Sequence, residues 1–99
     1  MRLKDSEGYT VTDGHALVRE IIRKHGVNRY PTIEQQLLKL TTEVGELIDA
    51  YQKPDKDVND FAKEYGDVGL TLYQVGNTMY LNLEEEMLNV VNKETRKFA

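Results

Sequence analysis

The 99-residue chain has no cysteine and no tryptophan, a single serine (Ser6), only two prolines (Pro31 and Pro54), and no long apolar run. Each shortage excludes something. Without cysteine there is no disulfide framework, no thiolate metal site and no cysteine nucleophile, so stability must come from packing or association. With its one serine in the polar opening segment, the chain has no serine triad. No stretch approaches the roughly 20 apolar residues that span a bilayer. Residues 1–7 lack the apolar segment of a signal peptide, so the expectation is a soluble, cytoplasmic protein without a membrane partner. At this length about 60–65% of the unfolded surface can be buried, enough for one domain with one small core. Any large substrate cleft would then be shared between subunits.

Positive charge is also short, with 13 basic residues against 17 acidic ones and a formal net charge of -4. The imbalance is local. From Glu43 to Asp67 eight acids face three lysines, a balance of -5, whereas elsewhere nine acids meet ten bases, a balance of +1. This argues against a nucleic-acid surface and raises the question of which cation answers that stretch.

The apolar residues recur at helical spacing. Residues 1–11 are polar, contain Gly8 and show no sustained period, so they are expected to form an extended arm ahead of a helical domain at 12–99. Helix one is capped by Thr12 or Asp13, carries Leu17, Val18, Ile21 and Ile22 on one face, and stops at Gly26 after His25. Thr32 and Gln35 stand in capping-box register at the start of helix two. Its apolar seam is Ile33, Leu37, Leu40, Val44, Leu47, Ile48 and Tyr51, and Pro54 ends it near Gln52. Helix three, capped by Asp57, repeats the rhythm with Phe61, Tyr65, Val68, Leu72, Val75 and Met79. Helix four, capped by Asn82 with Glu85 three residues on, turns Leu83, Met87, Val90 and Val91 inward. No segment alternates with period two. The expected fold is all-α, a four-helix bundle with short connections, completed by oligomerisation.

On helix two, Glu43 and Glu46 are three residues apart and share a flank of the seam with Lys39 and Gln36; on helix three, Glu64 and Asp67 have the same spacing. If the helices form a hairpin turning between Gln52 and Val58, Glu46 and Glu64 lie at one height and Glu43 and Asp67 at another. Four carboxylates then make a square between two helices. Like charges so close repel by several kcal/mol at an effective dielectric of about 20, so protons or divalent cations must sit among them. An all-oxygen donor set selects Mg2+, with Mn2+ as a possible substitute, over zinc. Lys39, one turn before Glu43, either pairs with that acid or meets a phosphate.

The glycines at 45, 66, 69 and 76 fall inside helices, each costing about 0.8–1 kcal/mol relative to alanine. Gly66, Gly69, Tyr73 and Gly76 share one sector of helix three, which predicts close approach of another helix around Tyr73, with a local kink as the alternative. His15 and His25 lack metal-ligand spacing and are read as surface or helix-end residues. Tyr30, Tyr51 and Tyr80 are possible base-stacking groups, although core or interface packing is the commoner use of such rings.

The segments Leu40-Thr41-Thr42-Glu43-Val44-Gly45-Glu46-Leu47, Glu64-Tyr65-Gly66-Asp67-Val68, Asn82-Leu83-Glu84-Glu85 and Lys93-Glu94-Thr95-Arg96-Lys97-Phe98 together resemble the MazG-like all-α nucleoside triphosphate pyrophosphohydrolases. The resemblance covers about 60 residues, from Lys39 to Phe98. It implies that Glu43, Glu46, Glu64 and Asp67 hold magnesium and that Lys93 and Arg96 hold phosphates. It also implies cleavage of a nucleotide between its α and β phosphates to give a monophosphate and pyrophosphate. Two departures stand out: Thr42 occupies a position that is often acidic in the family, and Asn28-Arg29-Tyr30-Pro31 replaces a tryptophan-bearing segment, so base recognition does not transfer. The chemistry suits the parts, because phosphoryl transfer needs in-line placement and charge neutralisation more than covalent help. Glu46 or Glu43 can orient a water, Lys93 and Arg96 can reach phosphates, and Lys39 can meet a phosphate but is read first as the partner of Glu43. The expectation is therefore a house-cleaning hydrolase acting as a homodimer or homotetramer on a nucleotide. Phosphoribosyl-ATP pyrophosphohydrolase is the enzymatic alternative, and a non-catalytic helical interaction module is the alternative of another class.

Overall fold

The computed structural model describes residues 3–4, 10–11 and 13–93. Two short strands, β1 (Leu3–Lys4) and β2 (Thr10–Val11), pair antiparallel with Leu3 opposite Val11 and Lys4 opposite Thr10. Four helices follow: α1 (Gly14–His25), α2 (Ile33–Gln52), α3 (Val58–Met79) and α4 (Leu83–Lys93). The fold is all-α apart from the small ladder. A pair of two-residue strands is too short to leave an alternation in the sequence, so the arm's pairing was not anticipated.

Each helix begins where a side chain can satisfy its free N–H groups. Asp13, in extended conformation, accepts the Ala16 N–H at 2.7 Å, and Gly26 ends α1 at φ 70°. Thr32 and Gln35 make both bonds of a capping box at 3.2 Å each, and Lys53 leaves α2 at ψ 140°, as Pro54 requires. Asp57 accepts the Asn59 N–H, and Asn82 accepts the Glu85 N–H. The end of α3 is less ordinary. Tyr80 takes the left-handed conformation (φ 57°) that glycine usually fills, while the Leu81 N–H donates to the Gly76 carbonyl at 2.9 Å.

α2 and α3 pack along each other as a helical hairpin, α1 lies against α3, and α4 meets α3 only near their junction. Burial departs from the expected seam. Leu37, Ile48, Tyr51, Tyr65, Met79 and Met87 are all about half or more exposed, and Val90 and Val91 of α4 face outward rather than inward. What α2 buries instead is Gln36, Glu43 and Ala50, seven residues apart on the face toward α3. Among the described residues only Val18 and Ala50 are buried hydrophobics. Helical spacing identifies a continuous apolar face but says nothing about which surface covers it, and within one chain no described surface covers this one.

His15 is not a surface residue. It is 5% exposed, and its Nε2 accepts the Leu83 N–H at 2.8 Å, which leaves Nδ1 protonated to donate to Asn77 Oδ1 at 2.7 Å. Asn77 returns a bond to the His15 carbonyl at 3.0 Å, and the Tyr73 ring meets the imidazole edge-on at 4.7 Å. One side chain thus ties α1, α3 and the start of α4. The glycines divide accordingly. Close approach occurs at Gly76, where an added Cβ would lie 2.9 Å from both His15 Cε1 and the Leu81 carbonyl oxygen. It also occurs at Gly14, where an added Cβ would strike the Tyr73 ring. Gly45, Gly66 and Gly69 meet nothing within 4 Å, and α3 runs through the last two as unbroken helix.

Candidate functional site

The hairpin brings carboxylates of α2 and α3 together. One oxygen each of Glu43, Glu64 and Asp67 lie within 4.8 Å of one another. Glu46 stands outside this trio, next to the Glu64 carboxyl. Interaction with the Glu64 carboxyl, reinforced by the nearby Glu43 charge, raises the Glu46 pKa above the usual carboxylate range. Of the four acids expected to form a square, three converge and Glu46 lies beside them.

Two lysines answer these charges. Lys39 Nζ lies 2.5 Å from Glu43 Oε1 and 5.3 Å from the centre of the Tyr30 ring. Its hydrogen bond to Glu43 holds its pKa above the ordinary lysine value. Lys63 reaches Asp67 Oδ2 at 3.0 Å and Glu64 Oε1 at 3.3 Å, and its pKa is raised for the same reason, Asp67 contributing most. Lys63 was missed in the sequence, although it precedes Asp67 by one helical turn and adjoins Glu64.

Glu43 is only 3% exposed, and its Oε2, like Oε2 of Glu64, is buried without a hydrogen-bond partner. A buried carboxylate oxygen left unpaired costs about 1–3 kcal/mol or more. Both orphaned atoms belong to the converging trio, and the donors are all hard oxygens. Such a set fits a divalent cation of the magnesium or calcium type, whose coordination would satisfy those oxygens.

Beside the acids, a cavity of about 500 Å3 opens between the C-terminal half of α1, the loop at residues 27–30 and the middle of α3. Val18, Ile21, Ile22 and Leu70 supply apolar wall, and Asn28 and Gln74 supply polar groups. One residue joins the cavity to the acid site and a second anchors the cavity wall to the backbone of α3. Lys39 lines the cavity and pairs with Glu43, and Thr71 lines it while its hydroxyl donates to the Asp67 carbonyl at 2.9 Å. Of the tyrosines considered for stacking, Tyr30 lines this space, Tyr51 packs against Phe61 at the hairpin tip, and Tyr80 is exposed. Asn28, Thr71 and Gln74 carried no signal in the sequence, being common polar types on three different elements.

Lys93 lies exposed in the last turn of α4, and no hydrogen bond or ion pair links it to the four acids. Arg96 falls outside the described residues.

Comparison with protein families matches residues 31–98 to the MazG nucleotide pyrophosphohydrolase domain, a span that contains α2, α3, α4 and all four acids but not α1. No curated individual protein matches the chain. With more than two thirds of its length matched, and with paired acids on consecutive helices of an all-α fold, the chain belongs to the MazG nucleotide pyrophosphohydrolase family.

Proposed function

We propose that the protein is a Mg2+-dependent nucleoside triphosphate pyrophosphohydrolase, with Mn2+ as a possible substitute, that cleaves (deoxy)nucleotides between the α and β phosphates. The observation that carries this reading is the convergence of Glu43, Glu64 and Asp67 with two buried, unpartnered carboxylate oxygens. Glu43, Glu46, Glu64 and Asp67 would hold the metal. When bound, it would lower the pKa of a coordinated water and neutralise phosphate charge. Glu46, the exposed member, is suited to orient the attacking water. Lys39 stands between cavity and acids, where it can exchange its pairing with Glu43 for a phosphate. Lys93 and Arg96 would bind the polyphosphate from the end of α4. The role is house-cleaning of the cytoplasmic nucleotide pool.

The working unit would be a homodimer or homotetramer. Leu37, Ile48 and Tyr51 of α2 and Tyr65 of α3 are each about half or more exposed, an apolar face suited to a second copy of the chain.

The test is a panel of natural and modified nucleotides with Mg2+, assayed for pyrophosphate against orthophosphate. Pyrophosphate release is expected, and Glu46→Gln or Asp67→Asn should lower it by about 100-fold or more with the helical content unchanged. Turnover confined to phosphoribosyl-ATP would reassign the substrate. The interaction-module alternative predicts no turnover and no specific metal effect. A true cation site at about 100 times its Kd adds roughly 2.7 kcal/mol of stability.

A further inference from the structure

The polar groups of the cavity beside the acids form a small, locked assembly. Asn28 Oδ1 accepts the Tyr30 backbone N–H at 3.1 Å, which fixes which way the Asn28 amide faces. The same oxygen accepts Gln74 Nε2 at 2.9 Å, which in turn fixes the Gln74 amide. The Tyr30 carbonyl accepts Nε2 of the fully buried Gln36 at 2.8 Å, so the loop bearing Asn28 is held from α2 as well as from α3. These bonds use one end of each amide. Asn28 keeps its Nδ2 donor and Gln74 its Oε1 acceptor, with no partner for either among the described residues.

We propose that Asn28 and Gln74 read the hydrogen-bonding edge of a nucleobase held in this cavity, the Gln74 carbonyl accepting from the base and the Asn28 amide donating to it. The inference rests on the nucleotide reading of the acid site and adds the element that selects among nucleotides. Three features support it. The apolar wall of Val18, Ile21, Ile22 and Leu70 suits a flat ring, and Lys39 places a cation on the side facing the acids, where phosphates would lie. The amide pair is pre-organised by three hydrogen bonds, so it presents one donor and one acceptor at no further ordering cost. A donor beside an acceptor selects by order: one order complements the amino group and ring nitrogen of adenine or cytosine, the other the carbonyl and ring N–H of guanine, hypoxanthine, uracil or thymine.

Asn28→Asp is the informative substitution. A carboxylate oxygen still accepts from the Tyr30 N–H and from Gln74 Nε2, so the loop keeps its bonds while the free donor becomes an acceptor. The site then presents two acceptors, which only a base with two adjacent donors satisfies, as guanine does with its N1–H and N2–H. Gln74→Met removes the acceptor at nearly constant volume. The experiment measures binding of non-hydrolysable α,β-methylene deoxynucleotides of the four bases to the full chain with Mg2+, alongside pyrophosphate release from the natural nucleotides. Circular dichroism checks the fold of each variant.

In Asn28→Asp the guanine nucleotide is expected to gain about tenfold or more over the other three, relative to the unsubstituted protein, because a mismatched site leaves its polar groups unpaired. Ratios between bases cancel the uniform effect of the added charge on triphosphates. In Gln74→Met the spread of affinities among bases should collapse toward equality. Unchanged ratios in both folded variants overturn the proposal even if turnover is intact. Selective binding that shifts as described, without pyrophosphate release from any nucleotide, would uphold the base reader and defeat the hydrolase reading instead.

Discussion

Tyr73 is the residue whose environment most alters its chemistry. Its hydroxyl donates to Glu84 Oε1 at 2.5 Å, and that bond, with partial burial, pushes its pKa from about 10 up to about 12. Between those values the folded chain keeps a proton that the unfolded chain has released. The contribution is therefore complete below about pH 10 and is lost as pH rises through about 12. Tyr73→Phe should be less stable than the parent at pH 8, and the gap should narrow by pH 12, as urea unfolding at the two pH values would reveal. A gap independent of pH would assign the loss to packing alone. Neither Tyr73 nor its neighbour His15 advertised this role. An isolated histidine in a polar helix start is more often exposed, and only the fold brings Asn77 and Leu83, more than 60 residues away, to its two nitrogens.

The helices were legible as elements because their boundaries are local chemistry. Asp13, Thr32, Asp57 and Asn82 cap within three residues of themselves, and Gly26 and Pro54 stop chains through backbone restrictions carried in one residue. Packing between elements was not legible to the same degree, and the glycines show why. All four interior glycines look alike in sequence, yet an alanine methyl at Gly76 would press on His15 and on a backbone carbonyl, whereas at Gly45 it would enter open space. Gly76→Ala is expected to destabilise by about 1–3 kcal/mol through overpacking. Gly45→Ala should stabilise by up to about 1 kcal/mol from helix propensity. Chemical denaturation of the two variants checks both, and equal effects would contradict the packing described. The hairpin register also follows from counting along α2 and α3. Counting leaves open how each side chain resolves its charge, and so it did not anticipate that Lys63 takes up Asp67 and Glu64.

For the whole molecule, the unburied apolar face is the dominant fact. Tyr65 is 69% exposed and Ile48 50%, on the two helices that carry the acids. Burying such a face is worth about 25 cal/mol per Å2, which favours association over exposure in water. Sedimentation or light scattering should give a particle of two or four times 11.4 kDa, and Tyr65→Arg with Ile48→Asp should shift it toward the single chain. A monomer in the unsubstituted protein would refute this. The capping residues, the helical period and the clustering of eight acids between Glu43 and Asp67 are properties of near neighbours along the chain, so helix positions, the hairpin and the location of the acidic site could be read without coordinates. The rivet at His15, the triangle of Glu43, Glu64 and Asp67 with its lysine partners, and the cavity that joins Asn28 to Gln74 depend on residues from separate helices meeting in space. Spacing along one helix carries no information about those meetings, because they are set by how the helices dock and which side chains then compete for the same polar atoms.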